Sequence, residues 1–208
     1  LKESLSGLTK KSTESYESLM YGLLLSGLAM QMTGNSRPAS GAEHHMSHLW
    51  EMEVINDTID FYHGEKVGVG LVLASKIYHK AAEKIAEGKF TVKGEMPVEK
   101  NLIAEYFKKP EMKESILKEN EVNVLDAIDT NKFFDKKKEI VEIIRAIPTA
   151  EELTDMISQV KGVKSLADLG FDESYQEKTA KLSPYVRRRL TFMRALKFFD
   201  FYEEVISC

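Results

Sequence analysis

Histidine is the residue type whose placement first suggests chemistry. The 208-residue chain has five, and four of them, His44, His45, His48 and His63, fall within twenty positions, while His79 stands apart. His44 and His48 are four residues apart, so on a helix both imidazoles leave from one face, whereas His45 is turned by about 100°. His63 comes just before Gly64, at the start of the next helical pattern, from where it can fold back to the first turn of the preceding helix. Neutral imidazole nitrogens suit a borderline divalent cation such as zinc, nickel or iron(II). Two imidazoles from successive helices, with a carboxylate from elsewhere, leave positions open for water or substrate, as catalytic sites require. An H-x-x-x-H pair taken alone also arises by chance on a surface helix. This one is not the H-E-x-x-H of zinc proteases, because Glu43 precedes the first histidine.

The loop Gly34-Asn35-Ser36-Arg37-Pro38-Ala39-Ser40 runs directly into the helix that carries His44. Free backbone N–H groups and the positive end of the helix dipole make such a start a natural anion site. Arg37 can add a bidentate contact to a phosphate or carboxylate, and Ser40 stands at the helix start. Ordinary capping by Ser40 and a surface arginine explain the same residues without a ligand. Gly64, Gly68 and Gly70 do not make a nucleotide loop, since Leu73 occupies the last glycine position of G-x-G-x-x-G and no strand precedes; close helix packing is the expected use of these small residues. The run Arg187-Arg188-Arg189 with Arg194 is interleaved with Val186, Leu190 and Met193, and is expected to be a solvated or ion-paired helix face.

The elements that must position these residues are helical, because alternation of apolar and polar residues is scarce and helical spacing recurs throughout. The expected fold class is all-α, a multi-helix bundle. Ser12 and Thr13 cap a helix running to about Met32 with Tyr16, Leu19, Met20, Leu23 and Leu24 on one stripe. Ser40 and Glu43 read as a capping box for a helix from Gly41 to about Val54, and Asn56 to Tyr62 as a short connection. A long helix follows from Gly64 to Ala86, with Gly88 past its end. Lys89 to Pro97 reads as a turn or small hairpin, followed by helices over Val98–Lys108 and Glu111–Lys118 and from Lys132 to Ile147. Thr149 and Glu152 form a second capping box, for a helix ending at Gly162, and a last long helix spans Pro184 to Val205. The metal-binding bundle is expected at about 12–88, and further helices at about 98–207.

Composition limits the partners. With 43% hydrophobic and 30% charged residues the chain is suited to one folded domain. A formal net charge of −4 and a pI near 5.8 leave no basic field for nucleic acid or an anionic membrane. The single cysteine, Cys208, rules out an internal disulfide or a cysteine zinc cluster, and a reducing cytoplasmic setting is expected. The most apolar stretch, Leu19 to Met30, is well short of the roughly 20 residues that span a bilayer and is expected to be a buried helix. The opening segment lacks a signal-peptide layout. A chain that begins with Leu1 rather than Met is expected to have lost its start to processing, proteolysis or design.

Three segments together, Ser26 to Met30, Gly34 through His48 with its N-S-R-P-A-S-G-x-E-H-x-x-x-H order, and His63-Gly64-Glu65-Lys66-Val67-Gly68, resemble sn-glycerol-1-phosphate dehydrogenase, bacterial branch, within the iron-containing alcohol dehydrogenase and glycerol dehydrogenase superfamily. Thr149 to Leu153 and Arg187 to Thr191 are similar to its late helices, while 89–147 is weakly diagnostic. The resemblance implies an N-terminal α/β domain for NAD(H) or NADP(H), absent from this chain, and a C-terminal helical domain, which residues 1–208 represent. It also implies metal-assisted hydride transfer between dihydroxyacetone phosphate and sn-glycerol 1-phosphate, with zinc, nickel or iron as the metal. Residue by residue, it makes His44 and His63 metal ligands and His48 the catalytic and substrate-binding histidine, with Arg37 and Ser40 toward the phosphate; His45 need not be a ligand. The third ligand would be an aspartate outside this chain, so the chain by itself is expected to be inactive. The expected partners are the phosphorylated substrate and the nucleotide-binding domain, and a homodimer is left open. A non-redox metal- or phosphate-binding module, another polyol dehydrogenase of the superfamily and a purely structural oligomer-forming domain are the rival readings.

Overall fold

A helical turn at Lys2–Ser4 and helix α1 (Leu5–Thr9) lead into α2 (Thr13–Thr33) in the computed structural model of the chain, which describes residues 2–52, 60–172 and 174–207. The Ser12 hydroxyl accepts the Ser15 N–H at 3.4 Å, and Gly34, in the left-handed region at φ 65°, ends the helix. The bounds agree with the sequence; the expected burial does not. Met20, Tyr21, Leu23, Leu24, Leu28 and Met32 are exposed, and Ser15 is the buried residue of α2. Apolar side chains occur on every side of this helix, so no single 3.6-residue stripe selects a face for burial. Its main neighbours are α1, the opening turn and the turn Arg37–Ala39.

Helix α3 (Ala42–Glu51) starts from Gly41, not from a Ser40 capping box. The Glu43 carboxylate instead accepts the Gly41 N–H at 2.6 Å. The expected end at Val54 lies outside the described residues, as do positions 56 to 59 of the expected connection. Met46 and Trp50 enter the main core, while Leu49 enters a second cluster with Ile103, Phe107, Ile116 and Leu182. Two faces of α3 are thus consumed by packing. Trp50 Nε1 donates to Thr179 Oγ1 at 3.0 Å, which fixes the helix against α10 (below).

Helix α4 (His63–Glu87) begins where Glu65 accepts the Tyr62 N–H at 2.8 Å and ends at Gly88, φ 72°. Val69, Leu73 and Ile77 pack into the same core as Met46 and Trp50. Close helix packing, expected of three glycines, falls to Gly70: a Cβ there would stand 2.7 Å from the Glu43 carbonyl oxygen, whereas Gly64 meets nothing within 4 Å.

Helices α5 (Lys100–Tyr106) and α6 (Pro110–Glu119) follow. The helix expected from Lys132 to Ile147 is two, α7 (Asn131–Asp135) and α8 (Lys137–Arg145). The capping box of α9 (Ala150–Gln159) forms as read: Thr149 N–H to Glu152 at 3.0 Å and Glu152 N–H to Thr149 Oγ at 3.2 Å. The long last helix does not form. Its place is taken by α10 (Tyr175–Leu182), a turn at Ser183–Tyr185, α11 (Phe192–Ala195), a turn at Leu196–Phe198 and α12 (Tyr202–Ile206). Backbone groups here leave the helical ladder for the segment read as a hairpin: Phe198 O accepts the Lys93 N–H at 2.8 Å, Thr91 O accepts the Asp200 N–H at 3.2 Å, and Val92 pairs antiparallel with Phe199. This detour lets Phe198, Phe199 and Phe201 all reach the core. Arg194, expected on a solvated face, is 1% exposed, its guanidinium held by Asn120 Oδ1 at 2.8 Å and Pro184 O at 3.0 Å. Beyond that one bridge the described residues hold no sheet, so the fold is an all-α multi-helix assembly. No helix among them is long and apolar enough to cross a membrane.

Candidate metal centre

Because Met46, Trp50 and Leu49 turn inward, the remaining stripe of α3 carries His44, His48 and Glu51, at i, i+4 and i+7. The first residue of α4, His63, is brought over that stripe by the close approach at Gly70. The rings of His44 and His63 have centres 5.4 Å apart, those of His48 and His63 5.3 Å, and those of His44 and His48 6.5 Å. The side chains of His44, His48 and His63 are 24%, 32% and 47% exposed, so the cluster is open to solutes.

Each of the three imidazoles has its Nδ1 against a carboxylate. His44 Nδ1 lies 2.9 Å from Glu43 Oε1, His48 Nδ1 3.0 Å from Glu51 Oε2 and His63 Nδ1 2.8 Å from Glu51 Oε1. Glu51 also takes Lys66 Nζ at 3.2 Å and the Ser47 hydroxyl at 3.3 Å. Burial alone would push the Glu51 carboxyl up, but the bonds from His63, Lys66 and His48 outweigh it and hold it at about 2. Glu51 is therefore an ionised hub between α3 and α4. Sequence reading missed it, although its place three residues after His48 and seven after His44 puts it on the same stripe. Ser47 and the buried Lys66 were missed with it.

His45 takes no part. It is 2% exposed, neither ring nitrogen has a hydrogen-bond partner among the described residues, and burial, then the nearby Arg189 cation, hold it down at about 4. Arg37 is exposed, its N–H bonded to Asn35 Oδ1 at 2.9 Å and its guanidinium without a bond to a described residue. The cation fastened to this loop is Arg189, which sequence reading placed on a helix: its guanidinium donates to Ser40 O at 2.9 Å and Ser36 Oγ at 3.1 Å. A cavity of about 1210 Å³ between 94–98 and α6 is lined by no histidine.

The donor types suit a divalent transition metal, with the His44 ring beside the His63 ring at 5.4 Å rather than against His48, from which it is 6.5 Å away. The residues whose ligand atoms lie within 4.8 Å of one another, among the described residues, are His48, Glu51 and His63, and His44 is not one of them.

Known proteins supply the class first: the curated relatives are nicotinamide-dependent dehydrogenases by name. Those relatives are named glycerol-1-phosphate dehydrogenase (NAD(P)+), and the chain is similar to them in sequence, in line with the resemblance carried by the histidine motifs. The enzyme of Halalkalibacterium halodurans is 28% identical over 86% of this chain and 37% of its own length. That of Bacillus subtilis is 48% identical over 31% of the chain and 17% of its own length, and that of Thermococcus kodakarensis 35% identical over 36% and 20%. The chain spans less than two-fifths of the length of the relatives that match most of it. No family model and no solved structure matches it.

Proposed function

We propose that residues 1–208 are the helical metal- and substrate-binding part of an NAD(P)-dependent sn-glycerol-1-phosphate dehydrogenase that interconverts dihydroxyacetone phosphate and sn-glycerol 1-phosphate, the nucleotide being bound by an α/β domain outside these residues. The observation that carries this reading is the 5.4 Å approach of the His44 and His63 rings in a chain whose curated relatives bear that name. In this reading His44 and His63 hold zinc, nickel or iron(II), together with an aspartate outside these residues. A cation bound there supplies Lewis acidity to the ketone or alkoxide oxygen.

The chain's own residues do the rest. His48, 32% exposed and held by Glu51, orients the substrate and relays the proton that accompanies hydride transfer between nicotinamide and the carbonyl carbon. The start of α3 presents unpaired N–H groups toward the substrate phosphate, with the Arg37 guanidinium and the Ser40 hydroxyl, neither bonded to a described residue, as further donors.

The test is turnover of the full-length enzyme, read as NAD(P)H oxidation with dihydroxyacetone phosphate. His44→Ala or His63→Ala abolishes metal-dependent activity; either variant with full metal content and undiminished rate would remove the ligand assignment. The 208-residue chain alone gives no oxidation, and a sustained rate from the pure chain would overturn that division of labour.

A further inference from the structure

We propose that Arg189 is the positioning residue of the substrate-phosphate loop: its guanidinium clamps 36–40 so that the Arg37 side chain, the Ser40 hydroxyl and the start of α3 are held together for a phosphate. This rests on the reading of that loop as the phosphate side of the site, and adds the residue, 149 positions downstream of Ser40, on which the loop's placement depends.

Three observations carry it. The first is the fork. Arg189 Nη1 donates to Ser40 O at 2.9 Å and Nη2 to Ser36 Oγ at 3.1 Å, so one planar group spans the short turn Arg37–Ala39 from end to end. A guanidinium fixes two acceptors at a set separation and angle, which an ammonium does not. The loop's own bonds, Ala39 N–H to Ser36 O at 3.1 Å and Arg37 N–H to Asn35 Oδ1 at 2.9 Å, are local, and no backbone N–H of a described residue reaches the Ser40 oxygen.

The second is the platform. The Arg189 N–H donates to Arg187 O at 2.8 Å, the Arg188 N–H to Glu119 Oε1 at 2.9 Å, and the Thr191 hydroxyl accepts the Arg194 N–H at 3.3 Å, so the segment that delivers Arg189 is braced on both sides. Buried Val186 packs in the same cluster as Leu49 of α3. Clamp and helix therefore sit on one core, and the loop is fixed relative to His48. The third is charge. Both bonds from this half-buried guanidinium go to neutral oxygens, so its charge stays beside the loop, where Arg37 adds a second for a phosphate dianion.

The experiment is steady-state kinetics of the full-length enzyme with dihydroxyacetone phosphate and NAD(P)H, inorganic phosphate being the competing probe, with metal content and far-UV circular dichroism measured for each variant. Arg189→Gln should raise KM and the inhibition constant for phosphate together, by about tenfold or more, with kcat within about threefold of the unaltered enzyme, because a misplaced phosphate grip is lost from ground state and transition state alike. Ser36→Ala, which keeps the Arg189 charge and cuts one of its two bonds, should move both constants the same way by less, and Arg189→Lys should restore part. Arg188→Gln removes an equal charge one position away, on an exposed side chain, and should move neither. Unchanged KM and phosphate inhibition in Arg189→Gln overturn this inference and leave the earlier reading standing; so does a fall in kcat with lost metal or helix content and neither constant changed, the mark of a purely structural arginine. Full rescue by Arg189→Lys with Ser36→Ala silent means that charge alone acts, and overturns the clamp. Should Arg189→Gln not fold, Ser36→Ala and Arg189→Lys decide between the same outcomes. No turnover of dihydroxyacetone phosphate by the unaltered enzyme overturns the earlier reading, and this one with it.

Discussion

Glu51 and His45 mark where residue identity was and was not enough. The H-x-x-x-H spacing made His44 and His48 legible, because helical periodicity alone puts them on one face. Glu51 was equally available to that reasoning, but a carboxylate on a charged chain attracts no notice until its partners are seen. His45 could only be sorted from its neighbours by knowing which face of α3 the core takes. Since its buried ring nitrogens bond to no described residue, His45→Met is expected to leave metal affinity unchanged and not to lower stability, checked by metal titration and by urea denaturation. A second residue-scale expectation concerns Glu99, bonded to buried Lys197 and to the Tyr185 hydroxyl. Burial would raise its carboxyl, yet the Lys197 charge and these bonds hold it below the usual carboxylate range. A depressed folded pKa means that the folded state prefers the ionised form, so its contribution is complete above the unfolded value near 4.3 and is lost as pH falls through the folded value. The stability gap between the native chain and Glu99→Gln should therefore narrow as acid denaturation is approached; a gap independent of pH would remove the carboxylate's part.

At the scale of elements, capping chemistry was the most readable signal. Ser12, Thr149 with Glu152, and Gly88 all act where the sequence places them, because caps are local and need no tertiary partner. The 184–205 segment failed for the opposite reason: its bonds go to Thr91 and Lys93, a hundred residues away, which no local pattern encodes. The α3–α4 crossing lies between these cases. Gly70 was read as a packing glycine, and its contact with the Glu43 backbone sets how near His63 comes to α3. Gly70→Ala should push the helices apart, cost about 1–3 kcal/mol in stability and weaken metal binding although residue 70 touches no imidazole. Denaturant midpoint and metal titration measured on the same sample test it; unchanged values for both would mean that the backbone yields freely.

Over the whole molecule, the fold class was legible and the inside–outside assignment of α2 was not. Apolar content predicted burial, whereas burial requires a partner surface, and the main core is built from α3, α4 and the last third of the chain. A polar replacement on α2, such as Leu24→Gln at a position 67% exposed, should therefore change folding stability by less than about 0.5 kcal/mol. A much larger loss by denaturant titration would show that α2 is covered in solution.

Ties from the histidine helices and the loop before them to distant sequence include Trp50 to Thr179, Tyr78 to the Met193 N–H, and Ser36 and Ser40 to Arg189. Four of the five histidines fall within a span of twenty positions, yet the scaffold that aims them is completed by residues more than a hundred positions downstream. Excising 12–88 as a miniature metalloprotein would take the ligands and leave their bracing behind, and a protease nick between Val186 and Thr191 would loosen the far shore of the site without touching a single imidazole.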